Sequence, residues 1–227
     1  PPQTTQSLQW LGVNAVSLAN NHTDNQGKTM LDNTRQVLNN VQITTIGDPQ
    51  NKTDLVKTFQ KENQKISIIA VNILANTPDL TETIKEQKNN NADVIIFPHW
   101  GNEYQTTHSS GQETLAHSWI EAGADLIVGS HPHVIQDAEI YNNKPIFYSL
   151  GNFLFDQTFS TNTQRGLVLE GKITSDKLTI KLVPVFSKHL RIGLLEGEEK
   201  TAIINQLKKG LGFENSEGDI IEFNTTP

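Results

Sequence analysis

The 227-residue chain has no cysteine. That absence removes disulfide staples, thiolate zinc sites and cysteine nucleophiles together. It leaves the compartment open, because exported and cytosolic proteins both occur without cysteine. Positive charge is also scarce: 18 Lys and Arg stand against 25 Asp and Glu, a net charge of −7. Lys208–Lys209 is the one adjacent basic pair. The cationic footprint that non-specific DNA or RNA binding requires is therefore missing, and no nucleic-acid partner is expected. No run approaches the roughly 20 apolar residues that span a bilayer. No stretch is rich enough in Pro, Gly or Ser to mark a linker, and no internal repeat is visible, so residues 1–227 are expected to form one domain. The chain opens Pro1–Pro2 rather than with Met, which points to a processed product or a fragment, with any signal or anchor segment upstream.

What is present is an ordinary core written in an amide-rich surface. Hydrophobic residues make up 35% of the chain, and 22 Asn and 16 Gln, rather than the 19% charged residues, supply much of the polarity. Short apolar runs alternate with amphipathic stretches, the pattern of an α/β protein. Val13–Ala19 and Val41–Ile46 read as strands around a helix over Gln26–Asn40, with Met30, Leu31, Thr34, Val37 and Leu38 on one face. Leu55–Phe59 and Ile66–Val71 flank a hairpin turn at Lys61–Lys65. Thr81–Asn90 and Ser109–Ala122 read as helices, the second ending at Gly123, a natural left-handed cap. Asp93–Pro98 and Asp125–Gly129 are continuous apolar runs, as expected for strands covered on both faces. After residue 134 hairpins dominate, one turning at Asn142–Asn143–Lys144 and one at Thr174–Asp176. Glu196–Leu211 reads as a modest helix with a frayed tail. The first five strands or so are expected in one sheet, with the later hairpins adding to a second.

Three segments share one design, a buried strand that ends abruptly in metal-competent groups: SLANNHTDNQG (Ser17–Gly27), FPHWGNEY (Phe97–Tyr104) and GSHPHV (Gly129–Val134). Ligands of open α/β sheets bind beyond the carboxyl ends of the strands. Four of the seven histidines, His22, His99, His131 and His133, occupy such places. A residue before proline is pushed toward an extended conformation, and residues i and i+2 of an extended segment share a face about 6–7 Å apart. His131 and His133 could then share one metal or serve two; the alternative is a turn with two solvent-facing histidines. His99 is either a third ligand or the cap of a core. Asn20–Asn21–His22 are costly to bury unless each finds a partner. An Asn oxygen is a hard neutral ligand, and His22 could donate a proton to a substrate oxygen; the alternative is an N-cap cluster for the following helix, with Asp24 a good candidate. Glu103 could hold a histidine, contact substrate or stand in a solvated loop. His108, His117 and His189 fall without companions and read as surface or packing residues.

The motifs ANNHTDNQG, FPHWGNEY, GADLIVGSHPHVIQ and PIFYSLGNFLFD, in this order over about Leu8–Asp156, resemble the CapA-type capsule, or poly-γ-glutamate, synthesis proteins. That family is similar in fold to calcineurin-like metallophosphoesterases, so a layered αββα sandwich is expected, with 157–227 as its C-terminal β-rich part and tail. The resemblance implies Asn21, His99 and His131 as ligands of one divalent metal and His133 as ligand of another; imidazole and amide ligands suit Zn, Mn or Fe. It implies that His22 contacts substrate and protonates the leaving group; Glu103 is a further catalytic candidate, and Asn20, Tyr104 and Asn152 are expected beside the substrate. The family also begins with a Gly-Asp strand and an Asn-Leu-Glu motif, which have no counterpart ahead of Leu8. Gly47–Asp48 follows ANNH and reads as a turn before Pro49. The fold is thus expected to be N-terminally incomplete, with weak metal binding and little turnover.

Two functions follow from the resemblance. One is a metal-dependent hydrolase that makes, releases or anchors an anionic polymer such as poly-γ-glutamate, by attack of activated water on a phosphoester or amide. The other is a non-catalytic accessory that binds polymer or the subunits of a membrane-bound synthase. Both place the protein outside the cell or on its surface, anchored through a segment beyond this chain. An amidohydrolase barrel fits less well, because such barrels carry HxH on their first strand.

Overall fold

The structure, a computed structural model, describes residues 3–174 and 176–224. A short helix, α1 (Thr4–Trp10), leads into β1 (Ala15–Ser17), which pairs in parallel with β2 (Thr44–Ile46). The helix α2 (Lys28–Asn40) makes the crossover that a parallel pair requires. Leu31 and Leu38, two turns apart on α2, close over Leu18 and Ile43. Met30, expected on the same face, stays 48% exposed.

The main sheet has six strands in the order β3-β4-β5-β6-β8-β7. These are β3 (Val56–Lys61), β4 (Gln64–Asn72), β5 (Ala92–His99), β6 (Leu126–Val128), β7 (Ala138–Tyr141) and β8 (Lys144–Phe147). The four inner strands run parallel, and β3 and β7 are antiparallel edges. Helices α3 (Thr81–Asn89) and α4 (Ser110–Ala122) cover one face, where Ile69, Val94, Ile96, Ile127 and Ile146 pack with Trp100 and Trp119. Ser109 and Gln112 form a reciprocal capping box at the start of α4, and Gly123, at φ +119°, ends it.

A second sheet is built on β10 (Lys177–Lys188). β9 (Arg165–Ile173) pairs along one side, and β11 (Arg191–Leu194) and β12 (Ile220–Asn224) share the other, all antiparallel. The helix α5 (Gly197–Gly210) contributes Ile203, Ile204 and Leu207 to a core that also takes Val128 and Phe147 from the first sheet and Leu167, Leu182 and Ile221 from the second. The sheets also meet at an antiparallel bridge between Gly151 and Gly166.

The layered α/β architecture is as expected, with three corrections. The hairpin at Asn142–Asn143 joins the first sheet, because β8 pairs in parallel with β6 through Ile127–Ile146 and Val128–Phe147. Its turn has φ of +48° at Asn142 and +62° at Asn143, the backbone of a tight primed turn. β1 and β2 form a separate two-stranded sheet, and the Val13–Ala19 run is strand only over Ala15–Ser17. The tail after α5 carries a strand, since β12 pairs with β10 from Ile220 to Asn224. Among the described residues, no helix is long and apolar enough to cross a membrane.

Candidate metal centre

β5 delivers His99 as its last residue, and the turn after β6 delivers Ser130, His131 and His133 beside it. The two segments are tied by backbone bonds from Ser130 N–H to Pro98 O (2.9 Å) and Trp100 N–H to Ser130 O (3.0 Å). Both strands are parallel and inner, so their carboxyl ends open on the same edge of the sheet. The loop after β1 brings Asn21 to the same place, although Asn21 and His99 lie 78 residues apart in sequence.

His99 Nε2 donates to Asn21 Oδ1 at 3.0 Å, because an amide oxygen only accepts. Its Nδ1 stands 3.2 Å from Ser130 Oγ. The His99 and His131 rings are 4.7 Å apart, and those of His131 and His133 are 5.9 Å apart. Glu103, His131 and His133 each offer a ligand atom, all within 4.8 Å of one another. Burial, with the neighbouring imidazoles His131, His133 and His22 adding to it, pushes the His99 pKa down to about 3. Burial also lowers that of His131, against the pull of Glu103. Both rings are held neutral at physiological pH, the form that ligates metal.

His131 Nδ1 is fully enclosed and has no hydrogen-bond partner. A buried nitrogen left unpaired costs free energy unless something else meets its lone pair or proton. Together with a donor set of imidazoles, a carboxylate and an amide oxygen, this orphan fits a divalent transition metal.

The two-histidine motif reaches this arrangement by a different backbone from the one its proline suggests. His131 has φ of +101° and His133 of +61°, so the segment is a turn, not an extended strand. Tyr104 N–H donates to Pro132 O at 2.8 Å, which holds the turn from outside. Non-glycine residues in this region carry strain and persist where the surroundings over-determine them, commonly at functional sites.

Asn152 needs a second correction. Expected beside the substrate, it is buried and saturated: Oδ1 accepts from His133 Nδ1 at 2.9 Å, and Nδ2 donates to Thr163 O at 2.9 Å. It orients the imidazole and leaves His133 Nε2 as the free nitrogen. Asn20 is likewise engaged, its Oδ1 accepting from the backbone N–H of His22 and Thr23 in a local turn. The N-cap of α2 is Gly27, with no side-chain cap, so neither Asn20 nor Asp24 serves that helix. His22 is exposed, with Asn25 Nδ2 3.1 Å from its Nδ1. Glu103 and Tyr104 are exposed at the rim, where Tyr104 stacks on His133, Phe159 meets Tyr104 edge-on at 5.2 Å and Phe155 lies 5.0 Å from His133.

A model of the bacterial capsule synthesis protein PGA_cap matches residues 1–157. The chain belongs to the PGA_cap family. Among similar proteins, "Capsule biosynthesis protein CapA" of Bacillus anthracis is 30% identical over 188 residues, covering 73% of this chain and 46% of that protein. "PGA biosynthesis protein CapA" of Bacillus subtilis (strain 168) is 46% identical over 85 residues, 37% of this chain and 22% of that protein. The chain thus spans less than half the length of these relatives. Among solved structures, a hypothetical protein from Thermus thermophilus superposes with a TM-score of 0.50 at 12% identity, covering 85% of this chain and 79% of that one, and so shares the fold. This PGA_cap member is accordingly a capsule-synthesis-related protein of layered α/β fold.

His108 and His117 are not companionless. His108 binds Asp137 through its ring at 3.1 Å and stacks on Tyr148, and His117 binds Glu139 at 2.7 Å and stacks on Tyr141. The partners lie 22 or more residues away in sequence, and no local pattern announces them.

Proposed function

We propose that this domain is a divalent-metal-dependent hydrolase of the metallophosphoesterase type, acting at the cell surface on an anionic capsule polymer such as poly-γ-glutamate or on a phosphoester. One observation carries the reading: a buried, unpartnered His131 Nδ1 within a cluster that also includes His133, Glu103 and the Asn21–His99 pair. Asn21, His99 and His131 are the proposed holders of one ion, with His133 and Glu103 toward a second. A bound ion of this kind supplies Lewis-acid polarisation of the scissile group and eases deprotonation of water. Asn152 keeps the His133 ring aimed, and burial keeps His99 neutral. His22 is assigned as the proton donor to the leaving oxygen, a role that its imidazolium form fills. Tyr104, at the rim, contacts the substrate. Residues 1–227 are read as one domain, held at the surface by sequence outside them.

The test is elemental analysis of metal in the full-length protein beside hydrolysis of bis(p-nitrophenyl) phosphate and of poly-γ-glutamate. Metal uptake and turnover are expected together, and His131→Ala should remove both. Asn152→Ala should cost about 10- to 100-fold in metal affinity or rate, as loss of a partner behind a ligand does. A folded protein that stays metal-free and inert on both substrates would leave the accessory role, binding polymer or synthase subunits, in its place.

A further inference from the structure

A second group of metal-competent side chains stands where α4 meets the edge strand β7, and it shares no residue with the histidine cleft. Glu113 and His117 are four apart on α4 and so lie on one face of it. Glu139 comes from the middle of β7. Each of the three offers a ligand atom, and these atoms all lie within 4.8 Å of one another.

The donors are pre-positioned. The His117 ring lies flat on Tyr141, centroids 3.7 Å apart and planes within 5° of parallel. Its Nε2 is 2.7 Å from Glu139 Oε1, and the buried Tyr148 hydroxyl donates to that same oxygen at 2.6 Å. An ordinary His–Glu ion pair would account for Glu139. It does not account for Glu113, a second carboxylate brought to the same point. Among the described residues neither glutamate forms an ion pair with Lys or Arg. A single imidazolium would offset one of two carboxylates this close and leave the other's charge uncompensated. One imidazole nitrogen with two carboxylate oxygens is a donor set for zinc-like ions, whereas Ca2+ and Mg2+ favour oxygen alone.

We infer that Glu113, His117 and Glu139 bind a divalent transition metal of the Zn2+ class, a structural site that clamps α4 to the edge strand of the main sheet. The Tyr148 hydroxyl then acts as the outer partner that fixes Glu139.

The experiment strips the 227-residue chain with a chelator and titrates it with ZnCl2 by calorimetry, with melting followed in parallel. It uses the His131→Ala/His133→Ala background, and wild type beside it should that background fold poorly. One equivalent of Zn2+ is expected at this site, with a Zn2+-dependent rise in Tm. Adding His117→Ala or Glu113→Gln should abolish both. Glu113→Gln keeps the side-chain volume, so an unchanged metal-free Tm shows that it folds. Zn2+ uptake and Tm response that survive both substitutions, or no uptake beyond the histidine cleft, would overturn the inference. Neither result bears on the hydrolase reading, because positions 131 and 133 are the same in both arms of the comparison.

Discussion

The carboxylate of Asp48 accepts the backbone N–H of Gln50 at 2.7 Å, of Lys52 at 3.0 Å and of Thr53, together with the Thr53 hydroxyl at 2.9 Å. Burial alone would raise its pKa, but these hydrogen bonds outweigh it and hold the carboxyl below its ordinary 3.8. A depressed folded-state value means that the stabilisation is fully present above about pH 3.8 and is lost as pH falls through the lower, folded value. Asp48→Asn should therefore cost roughly 1–3 kcal/mol at pH 7, the scale of lost charge-assisted bonds at a buried group, and less in acid below that window. Urea denaturation of both proteins at pH 7 and pH 3 checks the size and the sign. The turn itself was legible from Gly47–Asp48–Pro49. The left-handed backbone of His131 and His133 was not, because bonds from Tyr104 and the neighbouring strands impose it against the local preference that Pro132 expresses.

Among the elements, β6 and the turn it feeds depend on one residue without a side chain. A Cβ on Gly129 would lie 2.0 Å from Tyr148 O and 2.5 Å from Trp100 Nε1. Those two atoms already hold each other through the buried bond from Trp100 Nε1–H to Tyr148 O at 2.9 Å. Gly129→Ala should force them apart and destabilise the protein by about 2–3 kcal/mol, read as a lower Tm in thermal unfolding. β5 and β6 were legible because each is a continuous apolar run, β6 buried throughout and β5 buried on one face and half-buried on the other, and the hairpins because Asn–Asn and Thr–Asp turns are local chemistry. α1, with Leu8 and Trp10 as its only large apolar residues, and β12, which alternates exposed Ile220 and Glu222 with buried Ile221 and Phe223, carry signals too short to stand out. The Glu113–His117–Glu139 group needed the packing of α4 on β7, which no window of sequence contains.

The whole molecule is organised so that chain segments far apart in sequence close one cleft. Asn21, His99 and His131 were legible as a set because each follows a strand and ends it in the same chemistry. Which sheet the later hairpins join was not, since parallel pairing of β8 with β6 depends on a partner some 19 residues earlier rather than on the turn between. Asn152 holds His133 with one end and Thr163 O with the other, while the adjoining Gly151 bridges to Gly166 and Leu167 N–H donates to Leu150 O at 2.8 Å. The cleft and the second sheet are thus mechanically continuous at β9. Occupancy of the cleft should slow amide hydrogen–deuterium exchange at Gly166 and Leu167 while leaving β3, at the far edge of the main sheet, at its unliganded rate. Seen this way, Asn152 is a strut: it makes the opening fluctuations of the carboxyl-terminal half report on what the histidines hold.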